Sequence, residues 1–124
     1  MARKQFATWE VAEEEYKLKL KTSSICKLEE KLGASLINVM GNGGMPPLST
    51  MLTVTHAAMK DFNANVKRSD MDNIFDKYID AGGSQLEFFT SVFMDIYQVS
   101  GFFTEAQAEL MEAKQEEAKE LLES

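Results

Sequence analysis

The frame most suggestive of chemistry is Asp76 to Glu87, twelve residues with Asp76 and Asp80 at positions one and five, Glu87 at position twelve and Phe88 after it. Oxygen ligands at that spacing are what a calcium-binding EF loop supplies. The frame fails where the ion would need it. Tyr78 stands at position three in place of an oxygen ligand, Ala81 replaces the glycine of the sharp turn at position six, and Gly83 takes the apolar position eight. A helix, a Gly82-Gly83 break and a second helix account for the same residues.

The remaining reactive groups are sparse. His56 is the only histidine and lies among Thr55, Ala57 and Ala58 on a helical stretch, with no spaced carboxylate beside it, so the expectation is a histidine at the edge of a packed face. Cys26, near a helix start, is placed where the local dipole favours a thiolate, but no catalytic signature surrounds it, and a small buried or half-buried cysteine is expected. One cysteine and one histidine furnish neither an internal disulfide nor a metal site of the Cys/His type. Gly41-Asn42-Gly43-Gly44-Met45-Pro46-Pro47 precedes a helix as a phosphate cradle would. It lacks the Gly-Lys-Ser/Thr ending, and its two prolines remove two of the N–H donors. The expectation is a protein with no catalytic residue, no cofactor and no metal, one that works by contact.

Composition limits which contacts. The 124 residues, 44% hydrophobic and 10% aromatic, are enough for one domain with a real core and too few for two. Thirteen Lys+Arg against 20 Asp+Glu give a net charge of −7, and no run of the sequence forms a basic patch, so nucleic acid is not an expected partner. The longest uncharged run, Ala34 to Met59, is broken by the glycine and proline cluster, so no membrane span is expected. The N-terminus lacks the apolar stretch of a signal peptide, so the cytoplasm is the expected compartment. The charge is uneven. Thr104 to Ser124 holds seven acids and two bases, so −5 of the −7 belongs to the last 21 residues.

These limits leave the elements themselves. Phe6 to Val11 and Tyr16 to Lys21 both alternate with period two, the second with Tyr16, Leu18 and Leu20 on one face and Lys17, Lys19 and Lys21 on the other. Joined by Ala12 to Glu15 they form a hairpin, which needs a support to be stable. Thr22, Ser23 or Ser24 caps a helix carrying Ile25, Leu28 and Leu32, ended by Gly33, and Ala34 to Met40 adds a turn or two. Pro47 opens a helix whose face is Leu48, Met51, Leu52, Thr55, Met59 and Phe62. Ser69 caps a shorter one with Ile74, Phe75, Tyr78 and Ile79, and Ser84-Gln85-Leu86-Glu87 is a capping box before Phe88, Phe89, Val92, Phe93, Ile96 and Tyr97. Eight of the twelve aromatics fall between Phe75 and Phe103, so this last helix is read as the central core helix, with an exposed, partner-binding remainder as the sharper alternative.

After Gly101, Thr104-Glu105-Ala106-Gln107 opens an acidic helical arm. Like charges at Glu105/Glu109, Glu112/Glu116 and Glu116/Glu120 oppose the helix, while its Ala, Glu, Lys, Gln, Leu and Met favour it. The reading is a mainly α (α+β) chain: a compact domain over residues 1–103, with an N-terminal β-hairpin packed on a bundle of about four to five helices, and an arm over 104–124. Phe102, Phe103, Ala106, Leu110, Ala113 and Leu121 are the candidate partner-binding residues, as an apolar step and a thin seam along the arm.

Four segments carry a family resemblance: Ala7-Thr8-Trp9-Glu10-Val11 with Glu15-Tyr16-Lys17-Leu18, then Cys26 to Gly33, then Met51 to Met59, and Gly82-Gly83-Ser84-Gln85-Leu86-Glu87-Phe88-Phe89. In order and spacing they resemble the tail assembly chaperones of long-tailed phages and prophages of Gram-positive bacteria, over residues 6 to about 103. Ala12-Glu13 departs from the Asn-Gly-like turn expected there. The resemblance implies a non-catalytic protein of the bacterial host cytoplasm that binds the tape measure protein, keeps it soluble, helps recruit tail tube subunits and is absent from the mature virion. It also implies a longer, frameshifted form that contacts the tail tube protein. Competing readings are a small structural connector of a phage particle and a ligand- or calcium-responsive binding module. Self-association is left open.

Overall fold

The computed structural model describes residues 4–41 and 45–104, together with 106, 107, 109, 110, 117, 120 and 121. Two strands open the chain, β1 (Ala7–Val11) and β2 (Glu14–Leu18), antiparallel, with Ala7 opposite Leu18 and Val11 opposite Glu14. Only Ala12 and Glu13 separate them, so the turn is tighter than an Ala12 to Glu15 connector. Ala12 takes φ 55° and is the one non-glycine residue at positive φ among the described residues, the sign pattern of a type II′ turn, which matches the strand twist. Alternation sends Ala7, Trp9 and Val11 inward, and Leu18 and Leu20 join them from the second strand and its exit. Past Leu18 the chain stays extended, and the Lys19 N–H donates to the Ala58 carbonyl at 2.9 Å.

Helix α1 (Thr22–Leu32) buries Leu28, half-buries Ile25 and Leu32, and stops at Gly33, whose φ of 69° is open to glycine at no steric cost. Its cap corrects the sequence reading. Extended Lys21 is the N-cap residue and makes no side-chain cap bond, so Thr22, Ser23 and Ser24 lie inside the first turn. The short α2 (Leu36–Gly41) is held by Glu29, whose carboxylate accepts from the Leu36 N–H at 2.9 Å. Helix α3 (Leu48–Met59) has Pro47 at its N-cap and buries Met51, Leu52, Val54, Thr55, Ala58 and Met59. Phe62 lies beyond the helix end and is 43% exposed, outside the face assigned to it.

A 3₁₀ turn at Arg68–Asp70 leads into α4 (Met71–Asp80). The α4 N-cap residue is Asp70, not Ser69, and it makes no side-chain cap bond to that helix; its carboxylate reaches back instead, accepting from the Lys67 N–H at 2.8 Å and closing the 3₁₀ turn. Ile74, Phe75 and Tyr78 face inward, whereas Ile79 is 40% exposed. The final body helix is continuous in three pieces, α5 (Gln85–Phe88), a π-helical turn (Phe89–Phe93) and α6 (Met94–Val99). Ser84 caps it as its spacing predicts, accepting from the Glu87 N–H at 3.1 Å. Phe88, Val92, Phe93, Met94, Ile96, Tyr97 and Val99 are all buried, so this helix is central to the core.

The hairpin meets that helix through rings. Trp9, 1% exposed, lies 5.0 Å from Phe88, 5.6 Å from Tyr78 and 6.0 Å from Tyr16 between centroids, within the range where aromatic pairs attract beyond their area. At the other end the Tyr97 hydroxyl donates to the Leu36 carbonyl at 2.7 Å, tying α6 to α2. The chain is thus mainly α with an N-terminal β-hairpin packed on helices, as its patterning predicts.

Candidate functional site

The Asp76 to Glu87 corner is settled by Tyr78. Its ring lies over Gly83, where any Cβ would collide with it, and the Gly83 N–H donates to the Tyr78 carbonyl at 2.9 Å. Burial first, and the Glu87 charge second, push its hydroxyl up to about 12, so it stays neutral and packed. Position three of the frame is a core residue. Among the described residues no group of three or more His, Cys, Asp or Glu side chains gathers to hold a metal, and no helix is long and apolar enough to cross a membrane.

The predicted seam divides. Phe102 and Phe103 are half-buried and pack on the core, Phe102 at 4.7 Å from the Tyr97 ring, so the two rings fold back after Gly101. Ala106, Leu110 and Leu121 are helical and exposed, Leu110 by 61% and Leu121 by 73%. Ala113 lies outside the described residues. Thr104 and Gln107 form the reciprocal capping box: the Thr104 N–H donates to Gln107 Oε1 at 2.9 Å and the Gln107 N–H to Thr104 Oγ1 at 3.2 Å. The arm therefore begins as a helix with its exposed leucines unspent on the core.

A second site was invisible as a run of sequence. Between α1 and the end of α3 lies a groove of about 380 Å³ whose walls carry Lys21, Lys27, Lys31, Lys60 and Arg68 against one acid, Asp61. Lys21 pairs with Asp61 at 3.4 Å, with both side chains largely exposed, so the pair contributes little. Arg68 is held in place, donating to Thr53 Oγ1 at 3.1 Å and the Ser49 carbonyl at 3.3 Å, with Asp72 3.3 Å away. Lys27, Lys31 and Lys60 have no ion-pair partner among the described residues. Leu28 and Ala57 supply a small apolar floor.

Of the two reactive side chains, His56 belongs to this groove and Cys26 does not line it. His56 lines it, half-buried as expected at the edge of a packed face, and its Nε2 donates to the Val66 carbonyl at 2.9 Å, which fixes the tautomer. Cys26 is exposed, a correction to the expected burial: Ile25, Leu28 and Leu32 turn inward and leave position 26 outside the stripe. Lys27 and Lys31, four apart on α1, were the one local hint of the groove. The other cations reach it only through the fold.

Chemically, the body offers a cationic groove and the arm offers carboxylates with exposed leucines. No curated protein and no solved structure matches the chain. A family model does match residues 2–123, so the chain belongs to DUF6096, a family of unknown function.

Proposed function

We propose that this protein is a non-catalytic tail assembly chaperone of a long-tailed phage or prophage. In this reading it acts in the cytoplasm of the bacterial host, binds the tape measure protein, keeps it soluble, helps recruit tail tube subunits and is absent from the mature virion. A longer form would contact the tail tube protein. The observation that supports it is the arm: a capped helical start at Thr104, with Leu110 and Leu121 each helical and exposed, attached to a body whose large apolar residues are mostly spent in one core. Exposed leucines at helical spacing on a charged helix suit a long helical client. The family resemblance carried by the hairpin, α1, α3 and the Gly82–Phe89 corner points the same way.

Co-expression with the tape measure protein tests the proposal. The expected result is a soluble tape measure protein that co-purifies with the chain and is lost to the pellet with Leu110→Asp/Leu121→Asp. A tape measure protein that stays insoluble and does not co-purify with the wild-type chain sinks the reading.

A further inference from the structure

The groove and the arm are complementary in sign and in shape. The acids Glu105, Glu109, Glu112, Glu116, Glu120 and Glu123 step by four, three, four, four and three residues, the period that keeps side chains on one helix face. On a helix that spacing would line six carboxylates along one side of the arm. Such a stripe repels itself, and a row of unpaired lysines facing it removes that cost. The groove provides the row, with Lys27, Lys31 and Lys60 unpaired among the described residues and Leu28 and Ala57 between them.

We infer that the α1–α3 groove is the docking site for the acidic arm of a second copy of this chain. The arm of the same molecule is poorly placed to fill it. Only Gly101 to Phe103 separate α6 and its Ser100 cap from the Thr104 capping box, and Phe102 is packed on Tyr97, so the start of the arm is pinned to its own body. No described arm residue lines the groove. The root of the arm is nonetheless beside it, because Ser100 Oγ accepts from the N–H of Leu20, the neighbour of Lys21, at 2.9 Å. A two-fold axis near that root lets each arm cross into the other body, a reciprocal and closed exchange. This dimer does not depend on the chaperone reading.

Charge exchange between full-length chains tests it. One variant reverses the groove, Lys27→Glu/Lys31→Glu/Lys60→Glu; the other reverses the arm, Glu105→Lys/Glu109→Lys/Glu112→Lys/Glu116→Lys. By sedimentation, the wild-type chain is expected to dimerise at about 50 mM salt and to weaken roughly tenfold or more by about 500 mM. Each variant alone is expected to be monomeric, and their mixture to recover the dimer, because each arm then meets an opposite groove. If reversal unfolds the body, Lys27→Gln/Lys31→Gln/Lys60→Gln gives the same loss without added charge. A wild-type monomer at low salt, a dimer indifferent to salt, or a mixture that stays monomeric overturns the inference. So does a monomer that instead retains a DNA or RNA oligonucleotide on these lysines.

Discussion

The aromatic junction beneath the hairpin and the basic groove between α1 and α3 are built by opposite means. At the junction, Trp9, Phe75, Tyr78 and Phe88 lie within about two ring widths and exclude water, so each side chain depends on all the others. At the groove, Arg68 is tied to α3, but Lys27, Lys31 and Lys60 stand exposed around a small floor with no ion-pair partner among the described residues. The first region holds the fold together and leaves little to bind; the second contributes little to the fold and is free to bind.

The contrast breaks first at Trp9. Trp9→Ala is expected to cost about 3–5 kcal/mol, from the lost ring and the cavity left behind, and urea denaturation reads it directly. Because Trp9 Nε1 has no hydrogen-bond partner among the described residues, Trp9→Phe gives up no bond to them and should lose much less. Equal losses for the two would show that ring volume is not what the junction needs.

Alkaline pH addresses the same packing. Burial foremost, and then nearby Glu87, push the Tyr78 hydroxyl up to about 12, and burial with Glu29 raises that of Tyr97. Unfolded tyrosine ionises near pH 10, so the stability these phenols contribute is whole below about pH 10 and is lost as pH climbs toward 12. The urea midpoint should fall over that window, and less steeply in Tyr78→Phe. A midpoint flat through about pH 11 would mean that the phenols ionise in place.

Smaller effects come from the turns. Gly83→Ala forces a methyl into the Tyr78 ring and should cost about 1–3 kcal/mol in thermal unfolding. Ala12→Gly runs the other way, gaining up to about 1 kcal/mol by relieving the left-handed strain at φ 55°. Smallest of all, Lys27→Glu and Lys60→Glu should shift stability by no more than about 0.5 kcal/mol while changing how the protein associates at low salt. A large destabilisation from either would erase the distinction between the two regions.

What could be read in the chain follows the same division. The two faces of the hairpin, the Ser84 cap, the Thr104 box and the inward set from Phe88 to Tyr97 rest on neighbours two to four residues apart, and sequence displays such neighbours. The caps at Lys21 and Asp70 were missed because serine and threonine at a helix start compete with the backbone path into it, which only the preceding loop decides. Cys26 was misplaced because a stripe through 25, 28 and 32 leaves its neighbours on either side of the boundary. Beyond Lys27 and Lys31 on α1, the groove was not legible. Its cations are scattered from Lys21 to Arg68, and a net charge of −7 concealed a local excess of the opposite sign.

The π-helical turn at Phe89–Phe93 fits one residue more into its turn than an α-helix holds. It therefore works as an angular offset between two bearings: Phe88 before it addresses Trp9 on the hairpin, and Tyr97 after it addresses Leu36 on α2. Running the same residues as a plain α-helix would rotate everything downstream by about 100°. Tyr97 would turn away from α2, Ser100 from Leu20, and the acidic arm would leave the body on a different heading.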